Sequence, residues 1–452
     1  MEDSFILKNV SIFTGDDWID SGCIAVRNGI INYVGRGDPP ARIVPEGTAV
    51  LSLPRRSVIP GLIDSRVHCQ EGNIECLEQS LRFGVTTVCD MYGDPQYLNL
   101  LTQQAQDPVN KDKYADFKCA GIAASIESEW PGTELQLSPE NKPVSLEFRA
   151  ESLKAVTHQE MTAWQSSVPE DILPKLKSAE DAEHYVREQV VKFNASYIKI
   201  MHGIGDDVDV EFTEPRCEVQ NAVVDAAHRR GLIVLGHALS YSAAMDLLSN
   251  GVDGLTNIFI DRSTSRDWIE LLKRNKGHLC PTLSFYIFRT LQGDDIEELF
   301  ASDPFSERLL FDKSSQRNVS LGSKPEDAAF ANAVRNVQEA YKAGVPFVIG
   351  SASTGREIGP AYGLGVHIEM YLLSKAVGMT PMEVLKSATS EVADRFGFHD
   401  RGRVAVGKKA DLVLVEGDVR EAIADPNCRC LPVSCVWREG VSSIIYQRLA
   451  GP

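Results

Sequence analysis

Hydrophobic and polar residues alternate at both ends of this 452-residue chain. Near the start, FILKNVSIF (5–13) and CIAVRNGIINYVG (23–35) alternate with a period of two, and the turn sequences TGDD and RNG interrupt them. Near the other end, GRVAVGKKADLVLVEGD (402–418) and CVWREGVSSIIYQ (435–447) have the same character. Alternation broken by turn sequences is typical of short β-strands, so we expect strands at both ends.

The middle of the chain alternates apolar, strand-like runs with amphipathic helical patterns. The run SYIKIM (196–201), for example, is followed by the helical EVQNAVVDAAHRRG (218–231) and then by the run LIVLGHA (232–238). Units of roughly 20–25 residues suit a parallel sheet, and we predict an α/β fold with a (β/α)8, TIM-like barrel. Other predicted strands are VTTVCDM (85–91), GLTNIFI (254–260), HLCPTLSF (278–285) and VPFVIGSAS (345–353), whereas the polar segment 100–190 is predicted to hold helical insertions.

The composition indicates which classes of binding partner are to be expected. The formal net charge is -17 and no basic patch stands out, so we expect neither nucleic acid nor a membrane surface as a partner. The start of the chain lacks the basic and apolar regions of a secretory signal, and no apolar run is long enough to cross a bilayer. The ten cysteines are thinly spread, which favours reduced thiols in a cytoplasmic protein.

Polar residues lie at the predicted carboxyl ends of the strands, where barrels of this kind build their sites. In VIPGLIDSRVHCQ (58–70), Asp64, Arg66 and His68 alternate, so their side chains point to one face of an extended strand. His202 follows Lys199 by three residues. The predicted strand ends carry Arg66, His68, Lys199, His237, Asn257, Ser351, Ala352 and Ser353.

These motifs resemble those of the amidohydrolase superfamily, and the pattern is closest to imidazolonepropionase and related amidohydrolases. PGLIDSRVH is similar to the strand that carries two histidine ligands, and YIKIM to the strand whose lysine is carboxylated to bridge two metals. GHA, VIGSAS and the tail with GRVAVGKKADLVLVEGD also match. The resemblance implies a barrel over residues 58–402, a small β-sandwich formed by residues 1–57 with 403–452, and a homo-oligomer, with a dimer as the family-level expectation.

The chain departs from the family at three of six metal-site positions. The resemblance places Arg66, Asn257 and Ala352 where the family has two histidines and a catalytic aspartate. A guanidinium is permanently charged, and a unit charge about 4 Å from another costs on the order of 4 kcal/mol per like pair. We therefore predict a degenerate metal site and no required cofactor. One divalent metal such as zinc remains an alternative, held by the matching positions His68, Lys199 and His237.

Four residues are predicted to be catalytic. Without a metal, Lys199 is expected as a free amine beside Arg66, and it would act as a general base or Schiff-base nucleophile unless it pairs with an acid such as Asp64. Arg66 is either a clamp for an anion or carbonyl, or a structural group paired with Asp64. His202 would transfer protons unless it is only a surface histidine. His237, like His68, is expected to line the site, with a core role as the alternative.

A second group is predicted to bind the substrate, and Tyr286 with its neighbour Phe285 is expected to form the walls of the pocket. The predicted substrate-binding residues are His68, Asn257, Tyr286, Ser351 and Ser353.

Four functions remain open from the sequence. The first is a small-molecule enzyme that uses acid/base chemistry without the full metal set: elimination, isomerisation, decarboxylation, cyclisation or metal-free hydrolysis. Its substrate would be an anionic or carbonyl-bearing metabolite, as in specialised metabolism. The alternatives are a mononuclear metal-dependent amidohydrolase, a non-catalytic relative that binds a ligand or partner, and a structural interaction module. Metal content separates the first two.

Overall fold

A computed structural model describes residues 4–43, 46–69, 72–93, 95–126, 174–202, 217–287, 296, 299–311, 327–354 and 360–449. In chain order, its strands are β1 (Phe5–Phe13), β2 (Trp18–Arg27), β3 (Ile30–Gly35), β4 (Ala49–Ser52), β5 (Arg56–Pro60), β6 (Leu62–Val67), β7 (Val85–Asp90), β8 (Asp116–Cys119), β9 (Ser125–Ile126), β10 (Lys175–Leu176), β11 (Ile198–Met201), β12 (Val234–His237), β13 (Gly254–Leu255), β14 (His278–Leu279), β15 (Leu412–Glu416), β16 (Val433–Arg438) and β17 (Val441–Ser442).

Most helices alternate with the parallel strands, as the sequence pattern predicts. The α-helices are Glu75–Arg82, Pro95–Gln106, Ala179–Phe193, Cys217–His228, Tyr241–Ser249, Arg266–Arg274, Leu283–Ile287, Pro304–Leu309, Asp327–Lys342, Leu364–Leu372, Pro381–Ser387, Ser390–Arg395, Val419–Ala424 and Ile444–Leu449. A π-helical turn follows at Leu373–Val377, and short 3-10 turns lie at Ala41–Ile43 and Pro108–Asn110. Within the described ranges, no helix combines the length and the hydrophobicity that a bilayer crossing requires.

Strands from both chain ends form one eight-stranded sheet. Its order is β17-β16-β15-β5-β1-β2-β3, and β4 pairs with β1. The central pairing joins β5 to β15 in antiparallel register, with Val58 opposite Leu414. Leu7, Ile24 and Leu412 are fully buried in the apolar core of this sheet, which explains why these segments alternate. Strands from both chain ends therefore share one sheet, whereas the predicted β-sandwich stays a prediction.

The middle of the chain forms a two-stranded parallel pair, β9-β10, and two larger parallel sheets. One has the order β6-β7-β8, and the other has the order β11-β12-β13-β14. Single bridges join them to each other and to the segment 346–353, through the pairs Ala124–Ile200, Leu279–Phe347 and Val67–Ser353. The mixed α/β architecture is confirmed. The described strands, however, do not form one continuous closed sheet.

The apolar core is continuous beneath these parallel strands. Ile198, Val234, Leu255 and Leu279 come from four neighbouring strands and pack in the largest buried cluster. Burying one such side chain contributes about 1.5–3 kcal/mol relative to leaving it exposed. This packing holds the strand ends in a fixed arrangement, which positions the polar residues that follow.

The predicted strand at 278–285 is wrong beyond Leu279. Strand β14 stops there, and residues Leu283–Ile287 form a helix. Pro281 has no backbone N–H for a sheet, and Thr282 has a φ of 53°, so the chain cannot continue as a strand. The predicted strand at 254–260 is likewise shorter, because β13 ends at Leu255.

The segment 100–190 contains both helix and strand. Helices Pro95–Gln106 and Ala179–Phe193 agree with the prediction of helical insertions, but β8 is a strand that the prediction missed. Strand β8 pairs in parallel with β7, with Val88 opposite Phe117. Residues 127–173 of the predicted insertions lie outside the described residues.

Candidate functional site

Two buried cations at the carboxyl ends of the parallel strands contact the same residue. The Nη1 atom of Arg66, on β6, donates hydrogen bonds to the carbonyl oxygen of Thr256 at 2.7 Å and to Oγ1 of Thr282 at 3.0 Å. The Nζ atom of Lys199, on β11, donates to Oγ1 of Thr256. Arg66 and Lys199 are both fully buried. The strand ends therefore concentrate positive charge around Thr256.

Asp64 connects β6 to the segment 346–353. Its Oδ1 accepts from the backbone N–H groups of Arg66 at 3.1 Å and Ser351 at 2.9 Å, and its Oδ2 accepts from Oγ of Ser351 at 2.5 Å. Burial raises the pKa of Asp64 to about 6, although the hydrogen bonds from Ser351 and Arg66 oppose the shift. The carboxylate thus anchors backbone, whereas the guanidinium of Arg66 contacts Thr256 and Thr282.

Gly350 allows this segment to approach the arginine closely. A Cβ atom at position 350 would lie 2.6 Å from both Cβ of Arg66 and Sγ of Cys280. Such distances are shorter than the contact distance of non-bonded heavy atoms, about 3.5 Å. The site therefore requires a residue without a side chain beside Arg66.

Two residues at the site have positive φ angles that are unusual for residues with side chains. Thr282 has φ of 53° and Ala352 has φ of 54°. For a β-branched residue such as threonine this region is strained, and such strain concentrates at functional positions. The Thr282 hydroxyl has three contacts: it donates to the carbonyl of Pro281 at 2.8 Å and accepts from Arg66 and from Nδ2 of Asn257 at 3.3 Å.

The side chain of Asn257, beside Thr282, carries a hydrogen-bond acceptor to which no described residue donates. Because the Thr282 hydroxyl gives its one hydrogen to Pro281, it can only accept from Asn257, and this fixes the amide with Nδ2 toward Thr282. Oδ1 of Asn257 is buried, and no described residue donates to it. A buried acceptor without a donor costs about 1–3 kcal/mol, so this atom is poised to accept a hydrogen bond from a bound molecule.

His237 and His202 lie at neighbouring strand ends, and both are fully buried. His237 ends β12, is fully buried, and its carbonyl accepts from the N–H of His202 at 3.1 Å. Nδ1 of His202 lies 3.0 Å from Nε2 of Gln220, and its Nε2 lies 3.3 Å from Oδ2 of Asp246. Because Oε1 of Gln220 accepts from Asn250, the Gln220 amide donates to Nδ1, and Nε2–H of His202 faces Asp246.

His202 therefore packs against two helices, Cys217–His228 and Tyr241–Ser249, through Gln220 and Asp246. The ring is buried, which differs from the surface histidine that the sequence left as an alternative. Its contacts favour a role in positioning the strand end over proton transfer to a substrate. The catalytic role of His202 stays a prediction.

His68 lies beside the buried carboxyl of Asp90. Its backbone N–H donates to Ser353 at 2.9 Å, and its carbonyl accepts from the hydroxyl of Tyr362 at 2.8 Å. Burial raises the pKa of Asp90 to about 7, although the charge of His68 opposes the shift. His68 is thus held at its strand end by backbone contacts to Ser353 and Tyr362, with an acid nearby.

The remaining predicted substrate-binding residues form hydrogen bonds within the protein. The hydroxyl of Tyr286 donates to the carbonyl of Ile258 at 2.6 Å, and Oγ of Ser353 donates to the carbonyl of Ala361 at 3.4 Å. Oγ of Ser351 donates to Asp64 and accepts from the N–H of Ser353 at 3.1 Å. These contacts favour supporting roles for all three side chains.

Sequence reasoning missed two residues that shape this site, Thr256 and Thr282, which supply the atoms that accept from Arg66 and Lys199. Both lie inside predicted strands, so the hydrophobic pattern gave no signal for them. Glu369 holds the turn after Thr282 by accepting from the N–H groups of Leu283 at 3.0 Å and Ser284 at 2.6 Å. Burial raises the pKa of Glu369 to about 7.

The fold and the site define a mixed α/β protein whose polar residues meet at the carboxyl ends of parallel strands, a class that includes many hydrolases. Residues 57–441 match the model of the amidohydrolase family. The chain therefore belongs to that family, and the resemblance seen in the sequence is confirmed.

Solved structures of hydrolases share the fold. Molinate hydrolase aligns over 100% of this chain and 97% of its own, with a TM-score of 0.69 and 18% identity. Ochratoxinase of A. niger aligns over 97% of this chain and 95% of its own, with a TM-score of 0.67 and 18% identity. The protein LONG AFTER FAR-RED 3 of Arabidopsis thaliana is 35% identical over 78 residues, which are 17% of this chain but only 13% of that relative.

Arg66 and Ala352 stand where the resemblance places a histidine ligand and the catalytic aspartate of the family's two-metal centre. Arg66 and Lys199 both direct N–H donors at Thr256, so a divalent cation there would meet positive charge. Within the part of the chain that the structure describes, no three His, Cys, Asp or Glu side chains are grouped to hold a metal. His68, Lys199 and His237 remain the residues that a single ion would use.

Proposed function

We propose that this chain is an amidohydrolase-family enzyme that transforms a small carbonyl-bearing or anionic molecule without the family's full metal set. One observation carries the proposal: Arg66, a fixed cation, is buried at the strand ends and hydrogen-bonded to Thr256 and Thr282. A buried guanidinium is costly unless it has partners, and two of its partners here are a carbonyl and a hydroxyl. An anionic oxygen of a substrate would form a stronger, charge-assisted hydrogen bond with it.

We also propose the architecture in which this site lies. Strands β6, β7, β8 and β11–β14 with the segment 346–353 supply eight parallel segments for a (β/α)8 barrel over residues 58–402. Backbone hydrogen bonds between the sheets support it: Ser65 N–H donates to Ile349 at 2.9 Å, and Ala124 N–H donates to Lys199 at 2.8 Å. Residues 1–57 and 403–452 would form the composite β-sandwich.

Arg66 and Asn257 would orient the substrate. The guanidinium stabilises negative charge that develops on a carbonyl or enolate oxygen, which is the feature that elimination, isomerisation, decarboxylation and hydrolysis share. Oδ1 of Asn257 accepts a hydrogen bond from an N–H or O–H group of the same molecule, because the structure gives that atom no other donor among the described residues. The preferred substrate thus carries an acceptor and a donor close together.

Lys199 would supply the base or nucleophile. Its Nζ lies against Thr256, next to the carbonyl that Arg66 contacts, so both groups reach one substrate. Once deprotonated, Nζ either takes a proton from the substrate or attacks its carbonyl carbon. His237, at the neighbouring strand end, is the second group in this proposal that exchanges protons. In this proposal, the catalytic residues are Arg66, Lys199 and His237.

Metal analysis and turnover together test this proposal. The purified full-length chain is analysed for bound metals and incubated with a panel of amides, lactones and keto acids, with and without EDTA, while products are followed by mass spectrometry. Turnover that EDTA leaves unchanged, in protein without a stoichiometric metal, is the expected result. EDTA-sensitive turnover with one ion per chain would establish the mononuclear hydrolase on His68, Lys199 and His237 instead. Saturable thermal shifts without turnover would establish a binding protein.

A further inference from the structure

Two buried cysteines lie in direct contact beside the strand end that carries His68. The Sγ atoms of Cys69 and Cys76 are 2.6 Å apart, closer than non-bonded heavy atoms normally approach, about 3.5 Å. Both thiols are free and buried, with 2% exposure for Cys69 and 0% for Cys76. Their side chains already point at each other, which is the arrangement that a disulfide requires.

We propose that Cys69 and Cys76 are a redox pair that forms a reversible disulfide. No step of the proposed reaction uses either thiol, so this modification site is independent of the proposed function. A disulfide also departs from the expectation that the cysteines are reduced thiols. Sequence spacing gave no signal for it, because the two cysteines are separated by six residues and follow no CxxC pattern.

A disulfide between Cys69 and Cys76 would affect the site because of where the two cysteines lie. Cys69 directly follows His68, and its N–H donates to Oδ2 of Asp90 at 2.7 Å. Cys76 is the second residue of the helix Glu75–Arg82. A disulfide would therefore tie the residue after the site strand to the neighbouring helix. It would restrict the movement of His68 and of the chain that leaves β6.

The chemistry balances with hydrogen peroxide as the oxidant. One thiol attacks a peroxide oxygen and becomes a sulfenic acid as water leaves. The second thiol attacks that sulfur, the S–S bond forms, and a second water leaves, so two thiols lose two electrons and two protons. A dithiol such as dithiothreitol reverses the change by thiol–disulfide exchange. Burial raises the pKa of both thiols, so the reaction is slower than that of an exposed thiol such as Cys217.

Peptide mapping of the folded protein tests the pair. The native full-length chain is treated with hydrogen peroxide, its remaining thiols are blocked with iodoacetamide after denaturation, and non-reduced digests are analysed by mass spectrometry. We expect a linked Cys69–Cys76 peptide whose abundance rises at least tenfold over untreated protein and which dithiothreitol removes. Recovery of both cysteines as alkylated thiols, or as separate sulfinic acids, would overturn the proposal.

Variants separate this pair from general oxidation. Cys76→Ser and Cys69→Ser should abolish the linked peptide, whereas Cys23→Ser, which removes an equally buried thiol on β2, should leave it unchanged. Because the wild-type experiment needs no substitution, a variant that fails to fold does not weaken the result. A linked peptide that persists in either serine variant would show that another cysteine is the partner, and would contradict the pairing.

Discussion

A guanidinium is permanently charged, so the burial of Arg66 must be offset by its contacts. Two of these contacts are hydrogen bonds to neutral oxygens of Thr256 and Thr282. The charge of Arg66 also acts on the buried carboxyl of Asp64, where it opposes the rise in pKa that burial causes. Substitution of the arginine can therefore measure its contributions to stability and to ligand binding separately.

Substitution Arg66→Met should leave the protein folded and remove its function. Methionine fills a similar volume without the desolvated charge but leaves the acceptors on Thr256 and Thr282 without this donor, so we expect the free energy of unfolding to change by less than about 3 kcal/mol. Turnover of the best substrate in the panel, or the affinity for its best ligand as followed by thermal shift, should fall about tenfold or more. Hydrogen bonds to charged groups contribute about 1.5–3 kcal/mol. Urea unfolding and the panel assay measure the two effects.

The matched control is Arg66→Lys, which retains the charge but not the planar fork that holds two oxygens. We expect it to bind the best ligand more weakly than the wild type and more strongly than Arg66→Met. Full activity in Arg66→Met would contradict the role of the guanidinium as an oxyanion or carbonyl clamp.

Glu369 should make stability depend on pH. Burial raises its pKa from an ordinary 4.5 to about 7, so the folded protein binds this proton more tightly than the unfolded chain does. The resulting stabilisation is complete below about pH 4.5 and is lost as the pH rises through 7. This stabilisation amounts to about 3 kcal/mol.

The comparison of wild type with Glu369→Gln isolates this effect. Asp90, His278 and His367 titrate in both proteins, and their contributions cancel in the difference, whereas the charge of Asp64 helps to raise the pKa of Glu369 and belongs to the effect that is measured. We expect the wild type to lose on the order of 3 kcal/mol more than Glu369→Gln between pH 4.5 and pH 8, measured by urea unfolding. Equal losses in the two proteins would show that the carboxyl of Glu369 does not bind this proton.

The sequence predicted where the charged residues would lie, but not what they would contact. Alternation and strand ends correctly indicated that Arg66 and Lys199 are buried at the carboxyl ends of parallel strands. Contacts at those ends depend on rotamers and on the turns after each strand, which hydrophobic periodicity does not encode. Thr256 was therefore missed, and the contacts of His202 with Gln220 and Asp246 could not be anticipated.

At the scale of elements, the site depends on strands that stop early. Strands β13 and β14 are two residues long, and the residues after them, Thr256, Asn257 and Thr282, are freed to direct polar atoms at Arg66 or at each other. Sequence pattern predicted longer strands here because the residues beyond each end are still largely apolar. Pro281 and the positive φ of Thr282 end the strand in spite of that pattern.

The turn after β14 offers a test of hydrogen bonding against backbone strain. Thr282→Gly relieves the positive φ but removes the hydroxyl that accepts from Arg66, whereas Thr282→Ser keeps the hydroxyl and is the control. We expect the glycine variant to be less stable than the serine variant by about 1–3 kcal/mol, because a buried charged donor loses this acceptor. Urea unfolding measures this difference in the free energy of unfolding. A glycine variant at least as stable as the serine variant would mean that strain outweighs the hydrogen bond.

At the scale of the whole molecule, a buried ionic cluster joins the parallel sheet to the sheet of the chain ends. Asp116, on β8, lies 2.7 Å from Nη1 of Arg401 and 3.6 Å from Nη2 of Arg438, on β16. All three side chains are almost fully buried. The positive charge of Arg401, Lys118 and Arg438 holds the pKa of Asp116 well below its usual range, in spite of burial.

Replacing Asp116 should lower the free energy of unfolding of the whole protein. Asp116→Asn removes a buried carboxylate from between two buried guanidinium groups, of which Arg401 keeps Asp400 at 3.0 Å, and we expect a loss of about 3–5 kcal/mol in the free energy of unfolding. The control is Asp16→Asn, which breaks an exposed pair with Arg403 at 2.8 Å and should cost less than about 1 kcal/mol. Because the folded-state pKa of Asp116 is lowered, its stabilisation exists above pH 3.8 and disappears as the pH falls below it. Similar losses in the two variants, measured by urea unfolding at pH 7, would contradict the role of the buried cluster.

Fold class and the joining of the chain ends were predictable at this scale because both depend on hydrophobic periodicity. Alternating segments at each end had to bury one face, and the αβ rhythm between them required parallel strands. The ionic cluster at Asp116 was not predictable, because its three members are distant in the sequence and β8 lies in a polar segment that the pattern assigned to helices.

The pairing of β5 with β15 has a consequence for biosynthesis. Strand β5 ends at Pro60, whereas its neighbour β15 begins only at Leu412, so β5 is synthesised well before this partner. Until β15 has been synthesised, β5 presents an open edge and the apolar side chains of Val58 and Ile59, which are fully buried in the folded protein. Nascent chains therefore expose an unpaired strand edge during this interval, and chaperones that shield such edges are expected to bind them.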